Sequence, residues 1–164
     1  MRFTVRDHRP EDFTTLWEID QACFSPGIAY SQYELNAYMR RWASFTLVAE
    51  EAADNKSNQA TAHVMGFLVA ESGRRGVGHV ITIDVRPETR QSGVGSALLA
   101  AAEARLRAAK NSAVRLETAV DNASALAFYK HHGYDVIKTI PRYYSNGVDA
   151  LLLEKNLLSS VSST

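Results

Sequence analysis

The residues best suited to chemistry begin with Arg90-Gln91-Ser92-Gly93-Val94-Gly95-Ser96. They stand between a strand-like run, Val80 to Val85, and an alanine- and leucine-rich helical stretch. Gly93 and Gly95 can take left-handed backbone angles and let a ligand approach the main chain. A helix starting near Ser96 adds unpaired first-turn amides and the positive end of its dipole. Such a bend suits an anion, most naturally a phosphate. Two glycines there serve packing as readily as binding; Arg90, with Arg86 and Gln91 beside it, favours the anion. The Gly-Lys-Ser/Thr of nucleotide hydrolases is missing, since Ser96 and Ala97 follow Gly95. A dinucleotide turn needs three spaced glycines, and only two are present.

Three further groups can carry chemistry. In Val114-Arg-Leu-Glu-Thr-Ala-Val120, alternation puts Arg115, Glu117 and Ala119 on one face of a strand. Glu117 is then either a solvated surface acid or, if covered, a general base near neutral pH. Asn122 and Tyr129 are seven residues apart on one helical face, about two turns from each other. Asn122 suits a helix N-cap or a ligand contact. Tyr129 suits a core aromatic with a bonded hydroxyl or a proton donor, while Phe128 is expected in the core. Arg142-Tyr143-Tyr144, with Asp149 nearby, suits either amphipathic surface packing or recognition. His8, His63, His79, His131 and His132 show no ligand spacing, so no metal is expected.

These residues need a scaffold. The order read from periodicity is strand, two helices, three strands, helix, strand, helix, two strands: one mixed α/β sheet of about seven strands with about four helices on its faces. Ser31-Gln-Tyr-Glu34 is a capping box, and Arg9-Pro-Glu-Asp12 opens the first helix. Gly133 suits the C-terminal end of the helix that begins near Asn122. The connection Glu51 to Thr61 is polar, and the serine-rich end is expected to fray. One domain, residues 1–155, with a flexible tail over 156–164, accounts for the length.

Composition narrows the partners. Lys plus Arg number 18, as do Asp plus Glu, so no overall field favours nucleic acid or an anionic membrane. Cys23 is the single cysteine, which excludes an internal disulfide and suggests a buried structural thiol. No apolar run is long enough for a membrane span or a signal core, and a cytoplasmic setting is expected.

Taken together the chain resembles the GCN5-related N-acetyltransferase superfamily. Within it the similarity is to the RimI-like ribosomal protein alanine acetyltransferases. The resemblance rests on Arg90-Gln-Ser-Gly93-Val-Gly95, Ile83-Asp-Val85-Arg-Pro87, Leu116-Glu117, Asn122-Ala-Ser-Ala, Phe128-Tyr129, Gly133-Tyr134 and Arg142-Tyr143-Tyr144. It implies a fold whose fourth and fifth strands splay apart around acetyl-CoA. The residues implied for the cofactor are Ile83, Asp84, Val85, Arg90, Gln91, Ser92, Gly93, Val94, Gly95, Ser96 and Asn122. Glu117 matches the family's general base and Tyr129 its general acid; Tyr30, Arg142, Tyr143 and Tyr144 would flank the acceptor. The implied acceptor is a peptide or protein N-terminus, such as that of a ribosomal protein, bound by a monomer or homodimer. The segment Cys23 to Tyr30 departs from the family's compact Phe-Pro-Trp-like segment and has no tryptophan. That leaves a small amine or a lysine side chain as alternative acceptors, and a non-catalytic acyl-CoA-binding module as a third reading.

Overall fold

The computed structural model describes residues 2–52 and 63–158. Its elements are β1 (Phe3–Asp7), α1 (Phe13–Cys23), α2 (Gln32–Met39), β2 (Ser44–Glu51), β3 (Val64–Glu71), β4 (Val77–Val85), α3 (Val94–Ala108), β5 (Ala113–Ala119), α4 (Ala123–His131), β6 (Asp135–Ile140) and β7 (Ala150–Asn156). The strands form one mixed sheet in the order β1-β2-β3-β4-β5-β7-β6, the α/β architecture expected from the sequence. The polar connection beyond Ala52 and the serine-rich 159–164 segment lie outside the described residues. Leu157 is buried and its amide donates to Ser112 O at 2.8 Å, so packing continues past the end of β7. Among the described residues no helix is long and apolar enough to cross a membrane.

Local chemistry explains the helix ends. Ser31 Oγ accepts from Glu34 N at 3.1 Å and Glu34 Oε1 from Ser31 N at 3.0 Å, closing the capping box at the start of α2. A short 3-10 turn, Pro10–Asp12, leads into α1, and Asp12 Oδ2 accepts from Arg9 N at 2.6 Å. Gly133, at φ 91, follows the last residues of α4 as a left-handed C-terminal stop. The start of α3 differs from expectation. It begins at Val94 rather than near Ser96, because Gly93 at φ 88 and ψ 0 already turns the chain into the helix.

Apolar residues cover both sheet faces. Leu98, Leu99, Ala102 and Leu106 of α3 pack with Met65, Leu68, Val114, Leu116 and Leu153. Leu16, Ile19 and Leu35 of α1 and α2 pack with Val48, Phe67 and Val69 on the other side. Burying each of these side chains other than Ala102 stabilises the fold by roughly 1.5–3 kcal/mol.

The middle of the sheet opens. Strands β4 and β5 pair in parallel only from Val77 to His79 against Ala113 to Arg115. Beyond His79, β4 remains paired with β3 and β5 with β7, so a wedge separates them. The β3–β4 register passes from Ala70 opposite Val80 to Val69 opposite Thr82, leaving Ile81 as an extra residue. Such a bulge bends its strand and increases its twist, and here it falls where the wedge begins.

Candidate active site

The wedge forms a cavity of about 800 Å³ running from the bend before α3, past the free edges of β4 and β5, to the loop between α1 and α2. Tyr30, Ile83, Val85, Arg90, Gln91, Gly93, Gly95, Ser96, Glu117, Asn122, Tyr129 and Tyr144 all line it. Residues from six segments thus converge on one space.

The bend has a backbone geometry suited to an anion. Gln91 and Gly93 both take left-handed angles, φ 65 and 88, and no side chain caps α3. Among the described residues, no backbone oxygen accepts from the amides of residues 91 to 96. Consecutive amides in such a turn form a concave nest for anions, reinforced by the helix dipole. The two glycines serve different needs. A Cβ at Gly93 would meet nothing within 4 Å, so its backbone angle is what requires glycine. A Cβ at Gly95 would meet Phe128 Cζ at 3.3 Å, so there the constraint is space. Phe128, expected in the core, therefore both packs against it and lines the cavity.

Three residues expected at the cofactor turn their side chains elsewhere. Ser92 Oγ donates to Thr89 O, closing the short turn before the bend. Val94 is buried in the α3 core and anchors the helix. Asp84 is buried on the face toward α1 and does not line the cavity, because the bulge at Ile81 resets the alternation of β4. The strand edge is also partly committed. Arg86 N donates to Met65 O at 2.9 Å toward β3, so the neighbouring N–H and C=O of Val85 face the wedge. Val85 O already accepts from Arg90 Nε and Cys23 Sγ, each at 3.3 Å, leaving its N–H free. Cys23, expected as a buried structural thiol, is half-buried and lines the cavity. Burial pushes its pKa up to about 11, so it acts as a donor rather than a thiolate.

Glu117 is not a solvated strand acid. Its side chain is 17% exposed, and its Oε2 lies 2.7 Å from His79 Nε2. The other ring nitrogen of His79 is 3.9 Å from Glu71 Oε1. The sequence gives no hint of this pairing, because it depends on β4 and β5 being parallel neighbours with His79 opposite Arg115. Tyr129 is 8% exposed; burial, with the charges of Asp84 and Tyr144 behind it, raises its pKa well above that of free tyrosine. Asn122 caps α4 through an Oδ1 that accepts from Ala125 N at 3.2 Å, and it also lines the cavity.

The end of the cavity away from the bend is built from two loops. Tyr30 is pinned through its amide to Asp20 Oδ2 at 2.7 Å, and its hydroxyl donates to Ile81 O at 3.4 Å. Tyr144 lines the cavity, and Tyr143 stands edge-on to it, centroids 4.9 Å apart. Burial, with Glu117 next in influence, raises Tyr143 to about 12. Arg142 does not reach the cavity; at φ 50 it shapes the turn, its amide donating to Asp149 Oδ1 at 2.7 Å. Ser145 Oγ donates to Gly27 O at 2.8 Å, joining the two loops across the cavity mouth. Among the described residues, no group of three or more His, Cys, Asp or Glu side chains could hold a metal ion.

Known proteins resemble this chain in sequence and in fold. The family model described as acetyltransferase (GNAT) family matches residues 13–134. An uncharacterised N-acetyltransferase of Methanocaldococcus jannaschii is 38% identical over 152 residues, covering 92% of this chain and 90% of that protein. N-alpha-acetyltransferase 30 of Schizosaccharomyces pombe is 30% identical over 127 residues, covering 74% of this chain and 77% of that one. In the crystal structure of the NatC complex bound to Gag peptide and CoA, one chain is similar with a TM-score of 0.79 at 25% identity. The match covers 95% of this chain and 99% of that chain.

Proposed function

Because the chain belongs to the acetyltransferase (GNAT) family and is an N-acetyltransferase, we propose that it acetylates the α-amine of a peptide or protein N-terminus, with acetyl-CoA as donor. The reading rests on one observation. Glu117, bonded to His79, shares a cavity with Tyr129 and with an uncapped bend suited to an anion. The similarity to an N-alpha-acetyltransferase and to a chain of a peptide- and CoA-bound complex supports it.

Acetyl-CoA supplies an activated thioester. The amides of residues 91 to 96 suit its diphosphate, and the free edge at Ile83 and the Val85 N–H suit its amide-bearing arm, added like a strand. An α-amine has a pKa near ~8, so at neutral pH most of it is protonated and cannot attack. Glu117, held against His79, accepts that proton directly or through a water. The same open edge of β4 offers a second fixed N–H donor for the acyl oxygen as charge develops there. Tyr129, kept protonated by burial, gives its proton to the departing sulfur. This direct attack forms no bond to the protein, and Cys23 keeps its bond to Val85 O.

A panel of amines separates the readings: peptides differing in their first residues, one with a ribosomal-protein N-terminus, together with lysine side chains, polyamines and aminoglycosides. Each is incubated with acetyl-CoA and thiol release is followed. Acetylated peptide N-termini support the proposal. Turnover confined to lysine or small amines would replace the acceptor, and CoA binding without turnover on any amine would reduce the chain to a binding module.

A further inference from the structure

Beneath the α1–α2 loop lie two acids that the reaction does not use. Asp20 of α1 is 0% exposed and Asp84 of β4 is 1% exposed. Asp20 Oδ2 accepts from Tyr30 N at 2.7 Å, and Asp84 Oδ1 from Thr82 Oγ1 at 2.5 Å. Their other oxygens, Asp20 Oδ1 and Asp84 Oδ2, are buried and have no donor among the described residues. The two carboxyl groups lie within hydrogen-bonding reach of each other. Buried polar atoms are nearly always partnered, and two carboxylates this close cannot both stay ionised.

We propose that Asp20 and Asp84 share one proton, and that this bridge between α1 and β4 positions Tyr30 and its loop against the acceptor. A single proton partners both orphan oxygens at once and leaves one negative charge, held by Tyr30 N and Thr82 Oγ1. Burial raises both groups above the ordinary carboxyl range, and the neighbouring Asp20 raises Asp84 further. The other titratable groups facing the pair are Cys23 at the end of α1, Tyr30 in the loop, Glu34 on α2, Arg90 after β4 and Tyr129 on α4. Of these only Arg90 is a cation, and its Nε is bonded to Val85 O. The pair is therefore tied to the acceptor loop at the residue that lines the cavity. Tyr30 O completes the tether by accepting from Trp17 Nε1 at 3.1 Å and Gln21 Nε2 at 2.7 Å.

An acid that keeps its proton in the fold above its unfolded pKa loses stability as pH rises through that interval. When the shared proton leaves, two buried like charges repel and the Tyr30 amide loses its fixed acceptor. The test is an infrared difference spectrum, wild type minus Asp84→Asn, on the unliganded protein at pH 8 in light and heavy water. A protonated-carboxyl band that moves in heavy water and disappears in Asp84→Asn and Asp20→Asn is expected. The KM for the acceptor peptide, as a ratio of wild type to Asp84→Asn, should then climb by up to about tenfold per pH unit once the bridge ionises. Taking the ratio cancels the peptide's own titration. Absence of the band overturns the shared proton. A band with superimposable pH profiles overturns its positioning role. Only that role rests on the acceptor assignment above; because the spectrum needs no acceptor, the two failures are distinguishable.

Discussion

At the scale of residues, the proposed proton transfers fall to two groups that line one cavity, Glu117 and Tyr129. Glu117 can serve because His79, 2.7 Å away, holds its carboxylate in one orientation. Replacing Glu117 by Gln keeps the shape and removes the base, so kcat at pH 7 should fall by ~10²–10⁴ while affinity for CoA changes little. Steady-state kinetics with parallel CoA titrations check this, and unchanged turnover would remove Glu117 from the reaction. His79→Ala should also slow turnover, and the double variant should be hardly slower than Glu117→Gln, as groups acting as a unit are not additive. An additive double variant would separate the two residues. Tyr129→Phe should lower kcat by on the order of 10²-fold. Since the Tyr129 pKa lies well above that of free tyrosine, no loss of rate below pH 10 should trace to its ionisation. A wild-type rate for Tyr129→Phe would assign protonation of the sulfur to water.

At the scale of elements, the start of α3 and the bulge in β4 matter most. The bend works because Gly93 supplies a left-handed angle with open space around it, while Gly95 yields room to Phe128. These differ in their consequences. Gly93→Ala forces a side chain onto φ 88 and should cost about 1–2 kcal/mol. In a chain this size that lowers Tm by roughly 2–8 °C, which a melting curve measures. Gly95→Asp places a carboxylate where a diphosphate would rest and should abolish CoA binding without unfolding the chain. Normal CoA affinity in that variant, read by calorimetry, would refute the proposed cradle. The bulge at Ile81 is the less visible device. By slipping one residue it sends Asp84 toward α1 while Ile83 and Val85 face α3, and it lies where β4 parts from β5.

At the scale of the whole molecule, the loops on one edge of the sheet are held by contacts distant in sequence. Gly27, at φ 90, lies so close to the β6–β7 loop that a Cβ there would come within 2.8 Å of Asn146 Cβ. Gly27→Ala should therefore part the two loops and raise the acceptor KM severalfold, with KM for acetyl-CoA nearly unchanged. Equal effects on both constants would count against a specific role at the acceptor end. The opposite end of the sheet carries an ordinary acid-labile pair. Burial pulls the Asp12 carboxyl up, but Arg6, at 2.9 Å, and the Arg9 amide more than offset it, so its pKa is lowered. Stability from this pair is present above the usual carboxylate range and is lost as pH falls through the lowered value.

Much of this was legible along the chain. Alternation marked the strands, Ser31 and Glu34 marked the start of α2, and Gly133 marked the end of α4, because each signal needs only a few neighbouring residues. Gly93 and Gly95 announced the bend for the same reason, although only the structure separated a conformational glycine from a spatial one. What the linear order could not carry were relations across the sheet: His79 against Glu117, Asp20 against Asp84, Cys23 and Arg90 on one carbonyl. Arg142 and Asp84 looked like site residues, yet a turn and a one-residue bulge turn them away. Periodicity is a property of a segment, whereas register, bulges and burial arise only when segments meet. Local pattern thus sets which elements form and which residues could carry chemistry, and only folding sets which of those residues face one another.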